Sequence, residues 1–205
     1  MNKTIEKPLI SEEFASYCDH LFCLLEESII TDEFERELSL IVASDLVVKM
    51  LREVKEEQKK VLLVGNGGSA AIVAHMNNDL SKCNQMRSMV FTEQSLLTAL
   101  TNDEGYASAY GRQISLMGDS SDILIAVSSS GESENIIHSV QMARKKKMKV
   151  FTLSGFSPSN VLRKLGDMNF YVPSSSYGMV ELSHSIFCHY LTDRLAMEIE
   201  VVSLS

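Results

Sequence analysis

The stretch VLLVGNGGSA, residues 61–70, decides the fold. A short apolar run, Val61 to Val64, stops abruptly in Gly65, Asn66, Gly67, Gly68 and Ser69. Residues with little or no side chain let backbone N–H groups approach a ligand, and a helix start adds a favourable field for an anion. The pattern reads as a strand that ends at an anion-accepting turn and continues as a helix. From here strand and helix patterns alternate. Strands are expected at 61–64, 88–91, 122–128, 149–153 and 169–172, and helices near 69–82, 94–101, 105–117, 132–147, 159–166 and 178–199. This predicts an α/β fold, a five-stranded parallel sheet with helices on both faces in a flavodoxin-like three-layer sandwich. In the strand order 2-1-3-4-5 the ligand crevice lies beyond the carboxyl ends of the first and third strands.

The third strand runs into Ser128-Ser129-Ser130-Gly131-Glu132-Ser133, before a helix. Two small-residue loops would therefore face one crevice. Serine hydroxyls donate hydrogen bonds without adding bulk or charge. One serine would serve as a helix cap; four serines in these six residues exceed that need and suit phosphate oxygens. The competing reading of the first loop is a dinucleotide site, because Gly65 to Ala70 fits G-x-G-x-x-A and Glu93 follows the second strand. It leaves the serine loop unexplained and places Glu93 beyond the usual spacing. No nucleotide cofactor is expected, and no Walker A pattern is present.

Upstream, residues 11–58 read as two helices. Ser11 can cap the first, with Glu12 and Glu13 at the positive end of the helix dipole. Phe14, Cys18, Leu21, Phe22 and Leu25 recur at helical spacing. Thr31 is expected to cap the second, which carries Phe34, Leu38, Ile41, Met50, Leu51 and Val54. The division is an N-terminal helical extension, 1–58, on an α/β domain, 59–205. The helical pair cannot bury all its apolar surface alone, so it packs on the domain or on another subunit.

The 205 residues are 45% hydrophobic and 22% charged, enough for a proper core in one domain. A net charge of −8 argues against a nucleic-acid groove. Lys145-Lys146-Lys147 reads as the solvated end of a helix. Cys18, Cys23, Cys83 and Cys188 form no CxxC and suggest reduced thiols. The opening MNKTIEKPLISEEF lacks a signal-peptide core, and no apolar run approaches a membrane span, so a soluble cytoplasmic protein is expected.

GNGGS after one strand and SSSGES after a later one resemble the sugar isomerase (SIS) domain. The length, the leading helices, GNGGSAAIVAHMNNDL, ALTNDEGY and the closing ELSHSIFCH resemble the phosphoheptose isomerases within that class. These convert sedoheptulose 7-phosphate to a heptose phosphate. The resemblance implies a sugar-phosphate isomerase; a non-catalytic phosphosugar-binding or adaptor protein is the alternative on the same scaffold. It implies ligand contacts from Asn66, Gly67, Gly68 and Ser69, phosphate held by Ser128, Ser129, Ser130 and Ser133, and sugar contacts from Asn102 and Asp103. His189 falls on an active-site histidine and His75 on a second family histidine. Glu181 replaces an active-site glutamine, and Asp79 stands where the catalytic glutamate belongs, one methylene shorter. A homo-oligomer is implied, most often a tetramer, with sites built between subunits so that His75 and His189 meet from different chains.

Aldose–ketose isomerisation moves a proton between adjacent carbons through an enediol, and needs a base over the carbon and an acid near the oxygens. Asp79 and Glu181 are the base candidates, with His189 as the partner acid. His184 lies five residues before His189, so the two point to different sides of a helix. His75 and Asp79 share a helix face. Glu181 and His189 differ by about 80° around a helix and share a side. These two histidines and two carboxylates could hold a divalent ion such as zinc.

Overall fold

The computed structural model describes residues 11–203; the opening segment, 1–10, lies outside them. The strands are β1 (Ile29–Asp32), β2 (Glu37–Leu38), β3 (Lys60–Gly65), β4 (Arg87–Val90), β5 (Ile123–Ser128), β6 (Lys149–Ser154) and β7 (Met168–Tyr171). They form one sheet in the order β2-β1-β7-β6-β5-β3-β4. From β4 to β7 the pairing is parallel throughout, and that part has the expected 2-1-3-4-5 order.

The expected five-stranded, wholly parallel sheet is corrected at one edge. The sheet is mixed and has seven strands, because β1 adds antiparallel to β7 and β2 antiparallel to β1. Thr31, expected to cap a helix, instead lies opposite Asn169 in the β1–β7 ladder. Asp32 turns the chain: its carboxylate accepts the N–H groups of Phe34 and Arg36 at 2.9 and 3.0 Å. The residues before 59 are therefore not all helical. A four-residue strand leaves no periodicity to read, although the β-branched run Ile29-Ile30-Thr31 is a strand signal.

The helices are α1 (Glu12–Glu26), α2 (Leu40–Glu56), α3 (Gly67–Asn78), α4 (Gln94–Glu104), α5 (Ala109–Met117), α6 (Glu134–Lys145) and α7 (Tyr177–Ser203). Ser11 caps α1 as expected, accepting Phe14 N–H at 3.2 Å, and Ser39 rather than Thr31 caps α2. The helix expected over 159–166 reduces to a 3-10 turn, Leu162–Lys164. The buried Asn160 side chain explains this. Its Nδ2 donates to Ser154 Oγ, Gly155 O and Ser157 O, and its Oδ1 accepts Arg163 N–H. Such local bonds compete with a helical ladder.

Side chains alternate across the sheet. Val61, Leu63, Ile123, Ile125 and Val127 pack with residues of α2, α3 and α7 on one face. Leu62, Val64, Leu124 and Ala126 pack with residues of α5 and α6 on the other. Both faces are covered, as a parallel sheet requires. Truncating a wholly buried leucine such as Leu63 to alanine would cost about 2–5 kcal/mol. Phe187 stacks on Phe170 of β7 with centroids 4.1 Å apart, which docks α7 on the sheet.

Candidate active site

The crevice opens where β3 and β5 end. Gly65 lies opposite Val127 in their parallel register, and each strand runs directly into its small-residue loop. A Cβ on Gly65 would come within 2.7 Å of the Ser69 backbone, so the first loop folds back on itself only with glycine there. Asn66 starts α3 without using its side chain as a cap. Its amide crosses the crevice instead and exchanges two 2.9 Å hydrogen bonds with the Asn135 amide on α6. Tyr106 donates its hydroxyl to Asn66 Oδ1 at 2.7 Å. The two loops are thus tied face to face. Sequence reading missed Asn135 and Tyr106; Asn135 sits two residues past Ser133, just beyond the stretch marked for its serines.

The serine hydroxyls turn toward one another. Ser128 Oγ lies 3.1 Å from Ser133 Oγ and 3.5 Å from Ser130 Oγ, and it accepts Gly131 N–H. Ser133 is the N-cap residue of α6 but makes no side-chain capping bond. Ser129 Oγ is buried without a hydrogen-bond partner. Gly131 takes φ 67°, and a Cβ there would overlap the Asn160 amide. Neutral hydroxyls gathered at a helix start, one of them buried without a partner, can accept an anion.

Glu181 of α7 belongs to the same end of the molecule. A Cβ on Gly68 would overlap its carboxylate, so that carboxylate rests against the first loop. It lies over the first turn of α3, where the helix field favours a negative group. Ser69 beside it is buried. Asn102 and Asp103 lie on an exposed face of α4 with Gln94, Ser95 and Thr98, and Asn102 donates to Asp103 at 2.8 Å. Among the described residues no hydrogen bond joins them to the two loops. The Glu93 carboxylate accepts Ser95 and Leu96 N–H and so caps α4; these bonds hold its pKa below the usual range.

A second constellation lies farther along α3 and α7. Asp79 Oδ2 is 3.6 Å from His75 Nε2 and 3.4 Å from His189 Nδ1. The imidazole centroids are 4.8 Å apart and nearly edge-to-face. Asp79 Oδ1 accepts a hydrogen bond from Asn78. The Asp79 side chain is 15% exposed, whereas His75 and His189 are 60% and 46% exposed. The expectation that His75 and His189 meet from different chains is corrected here: packing of α3 against α7 brings them together in one chain. Glu181 is not in this group. It shares a side of α7 with His189 but lies eight residues earlier, about 12 Å along the helix. The ligand atoms of His75, Asp79 and His189 all lie within 4.8 Å of one another.

Two titratable neighbours are buried. Burial and the Asp79 charge push the Cys188 thiol up to about 12, which keeps it protonated beside the cluster. His184 is fully buried, with Nε2 donating to Ser154 O at 3.1 Å, and burial brings its pKa down to about 4. It is a neutral core histidine under β6.

The profile of the SIS domain family matches residues 28–155. A phosphoheptose isomerase of Helicobacter pylori strain P12 is 33% identical over 152 residues, 71% of this chain and 79% of that protein. One from Coxiella burnetii is 32% identical over 179 residues, 82% of this chain and 88% of that protein. The solved structure of a phosphoheptose isomerase from Francisella tularensis superposes with a TM-score of 0.77 at 25% identity, over 91% of this chain and 97% of that one. The chain belongs to the SIS domain family, in the branch of the phosphoheptose isomerases.

Proposed function

We propose that this chain interconverts an aldose phosphate and a ketose phosphate, such as sedoheptulose 7-phosphate, with Asp79 as the base and His189 as its partner acid. Membership of the phosphoheptose isomerase branch supports the reaction. The observation that carries the assignment is the single Asp79 carboxylate between two imidazoles, at 3.4 and 3.6 Å. The carboxylate takes the proton from the carbon next to the carbonyl and returns it to the neighbouring carbon. The imidazole hands a proton to the carbonyl oxygen and takes one back from the neighbouring hydroxyl, so both groups end as they began. Proton transfer of this kind contributes about 10²–10⁴-fold.

The substrate phosphate sits among Ser128, Ser129, Ser130 and Ser133. The Glu181 carboxylate repels a phosphate from the first loop and steers it to these neutral hydroxyls. It accepts sugar hydroxyls with Asn66, Gly67, Gly68 and Ser69 around it. Asn102 and Asp103, one turn before the Tyr106 that touches Asn66, meet the sugar from the open side.

His75, Asp79 and His189 fit a divalent ion such as zinc. Ligand atoms that share a tetrahedral ion at about 2.0–2.2 Å lie somewhat over 3 Å apart, close to the two separations found, and three protein ligands leave a position free. When bound, such an ion would supply Lewis-acid polarisation of a sugar oxygen in place of the imidazole's proton, and only the Asp79 oxygen left free of it would serve as the base. An enediol must be shielded from water, and both histidines are open in the single chain. Phe22 at 60% and Ile41 at 68% exposure leave apolar surface on α1 and α2 that a further copy would cover. A cytoplasmic homo-oligomer, a tetramer in this proposal, meets both needs. The test is incubation with a panel of ketose phosphates in D2O and NMR detection of deuterium entering C1 or C2. Exchange is expected. No exchange on any of them, with or without zinc, would leave a protein that only holds the phosphosugar.

A further inference from the structure

We propose that Asn84 is a positioning residue that sets the approach of Asp79 to His189 by bridging the two segments that carry them; the proposal rests on the isomerase reading above. α3 does not end at Asn78 but widens into a π turn, Asp79–Cys83. Asn84 closes this turn. Its backbone N–H donates to Asp79 O at 3.0 Å. Its side-chain Nδ2 donates to the same carbonyl at 3.2 Å and to Thr192 O on α7 at 3.3 Å. Thr192 lies one turn past His189, and its hydroxyl donates to the His189 carbonyl at 3.1 Å. One amide thus holds the backbone of the base and the helix of its partner.

Two observations separate this from ordinary packing. Asn84 is wholly buried, yet its Oδ1 has no hydrogen-bond partner. A buried acceptor left unpaired is unfavourable, so the site retains the amide for its donor end. Asp79 also has only one methylene, so the reach of its carboxylate is set by backbone position, and the π turn sets that position. Wide turns of this kind inside helices occur often at functional sites. Asn84 has a second, independent tie: its own carbonyl accepts Lys55 Nζ from α2 at 2.8 Å.

The near-isosteric Asn84→Asp removes the side-chain amide donors and leaves the backbone bond to Asp79 O, and Lys55→Met removes only the other tie. Asn84→Asp should lower kcat by about 10–100-fold, as loss of a partner that orients a reacting side chain does, with KM for the ketose phosphate within about threefold. Lys55→Met should lower the melting temperature without the fall in kcat. If Asn84→Asp does not fold, Asn84→Ser, which keeps one donor, should show the same split at reduced size. A readout independent of turnover is the ring 15N shifts of His189, which should move in the Asn84 variants toward those of Asp79→Ala. Unmoved ring shifts overturn the proposal. So does a fall in kcat that Lys55→Met reproduces at equal loss of stability. If the wild type shows no exchange, the isomerase reading fails, and the ring shifts alone still decide whether Asn84 positions Asp79 against His189.

Discussion

The crevice between the two loops and the seam between α3 and α7 are built on opposite principles. In the crevice the candidate ligand groups are hydroxyls, buried or partly buried, and glycine-rich backbone, fixed by strand ends, by the Asn66–Asn135 amide pair and by the Asn160 brace. In the seam they are titratable side chains, two open imidazoles around a largely covered carboxylate, brought together by two helices and one π turn. The first region can hold a phosphate without changing protonation. The second can move a proton, but its geometry depends on how two helices meet. On the proposed reading, binding and chemistry lie in separate regions, and mutations should separate them.

The largest effect is expected in the seam. Asp79→Asn should lower kcat by about 10²–10⁴-fold, and Glu181→Gln, which leaves the Asp79–His189 pair intact, by less than about tenfold. Asp79→Glu should retain part of the activity. Steady-state kinetics on a ketose phosphate reads all three, and a larger loss in Glu181→Gln would move the base to the crevice. Next comes the serine loop. Ser129→Ala with Ser130→Ala removes hydrogen bonds to a charged group, each worth about 1.5–3 kcal/mol, so calorimetry should show sugar-phosphate affinity falling by at least roughly 100-fold with the fold intact. Unchanged affinity would remove the loop from the site.

Smaller effects test the scaffold under the crevice. Gly131→Ala forces a Cβ into a left-handed backbone conformation and onto Asn160, and should destabilise by about 2–3 kcal/mol in denaturant unfolding. The effect of His184 is about 2 kcal/mol at pH 5. Its folded pKa, about 4, lies below the ordinary value of 6.5, so the unfolded chain binds the extra proton between them. Stability should be full above pH 6.5 and fall as pH drops toward 4, by about 2 kcal/mol at pH 5. His184→Gln should flatten that part of the profile; an unchanged slope would place the acid sensitivity elsewhere.

The same contrast governs what the sequence reveals. The crevice was legible because glycine runs, serine clusters and strand alternation are local, and parallel topology places the ends of β3 and β5 side by side. The β1–β2 edge was not, since four residues show no period and Asp32 turns the chain through side-chain bonds that composition hides. In the seam, His75, Asp79 and His189 could be picked out one by one. Their meeting within one chain could not, because it depends on helix packing and on a π turn. Asn84 and Asn135 carried no signal beyond their polarity; only burial and partners mark them. The eight-residue spacing that puts Glu181 and His189 on one side of a helix is the instructive case, because angle alone does not report the length between them.

The most direct measurement is a calorimetric titration of Asp79→Asn with sedoheptulose 7-phosphate, read beside its turnover. If the serine crevice binds and the carboxylate–imidazole seam reacts, affinity stays within about threefold of wild type while turnover falls by at least about 10²-fold. Affinity and turnover lost together, or turnover retained, would contradict the division of labour between the two regions.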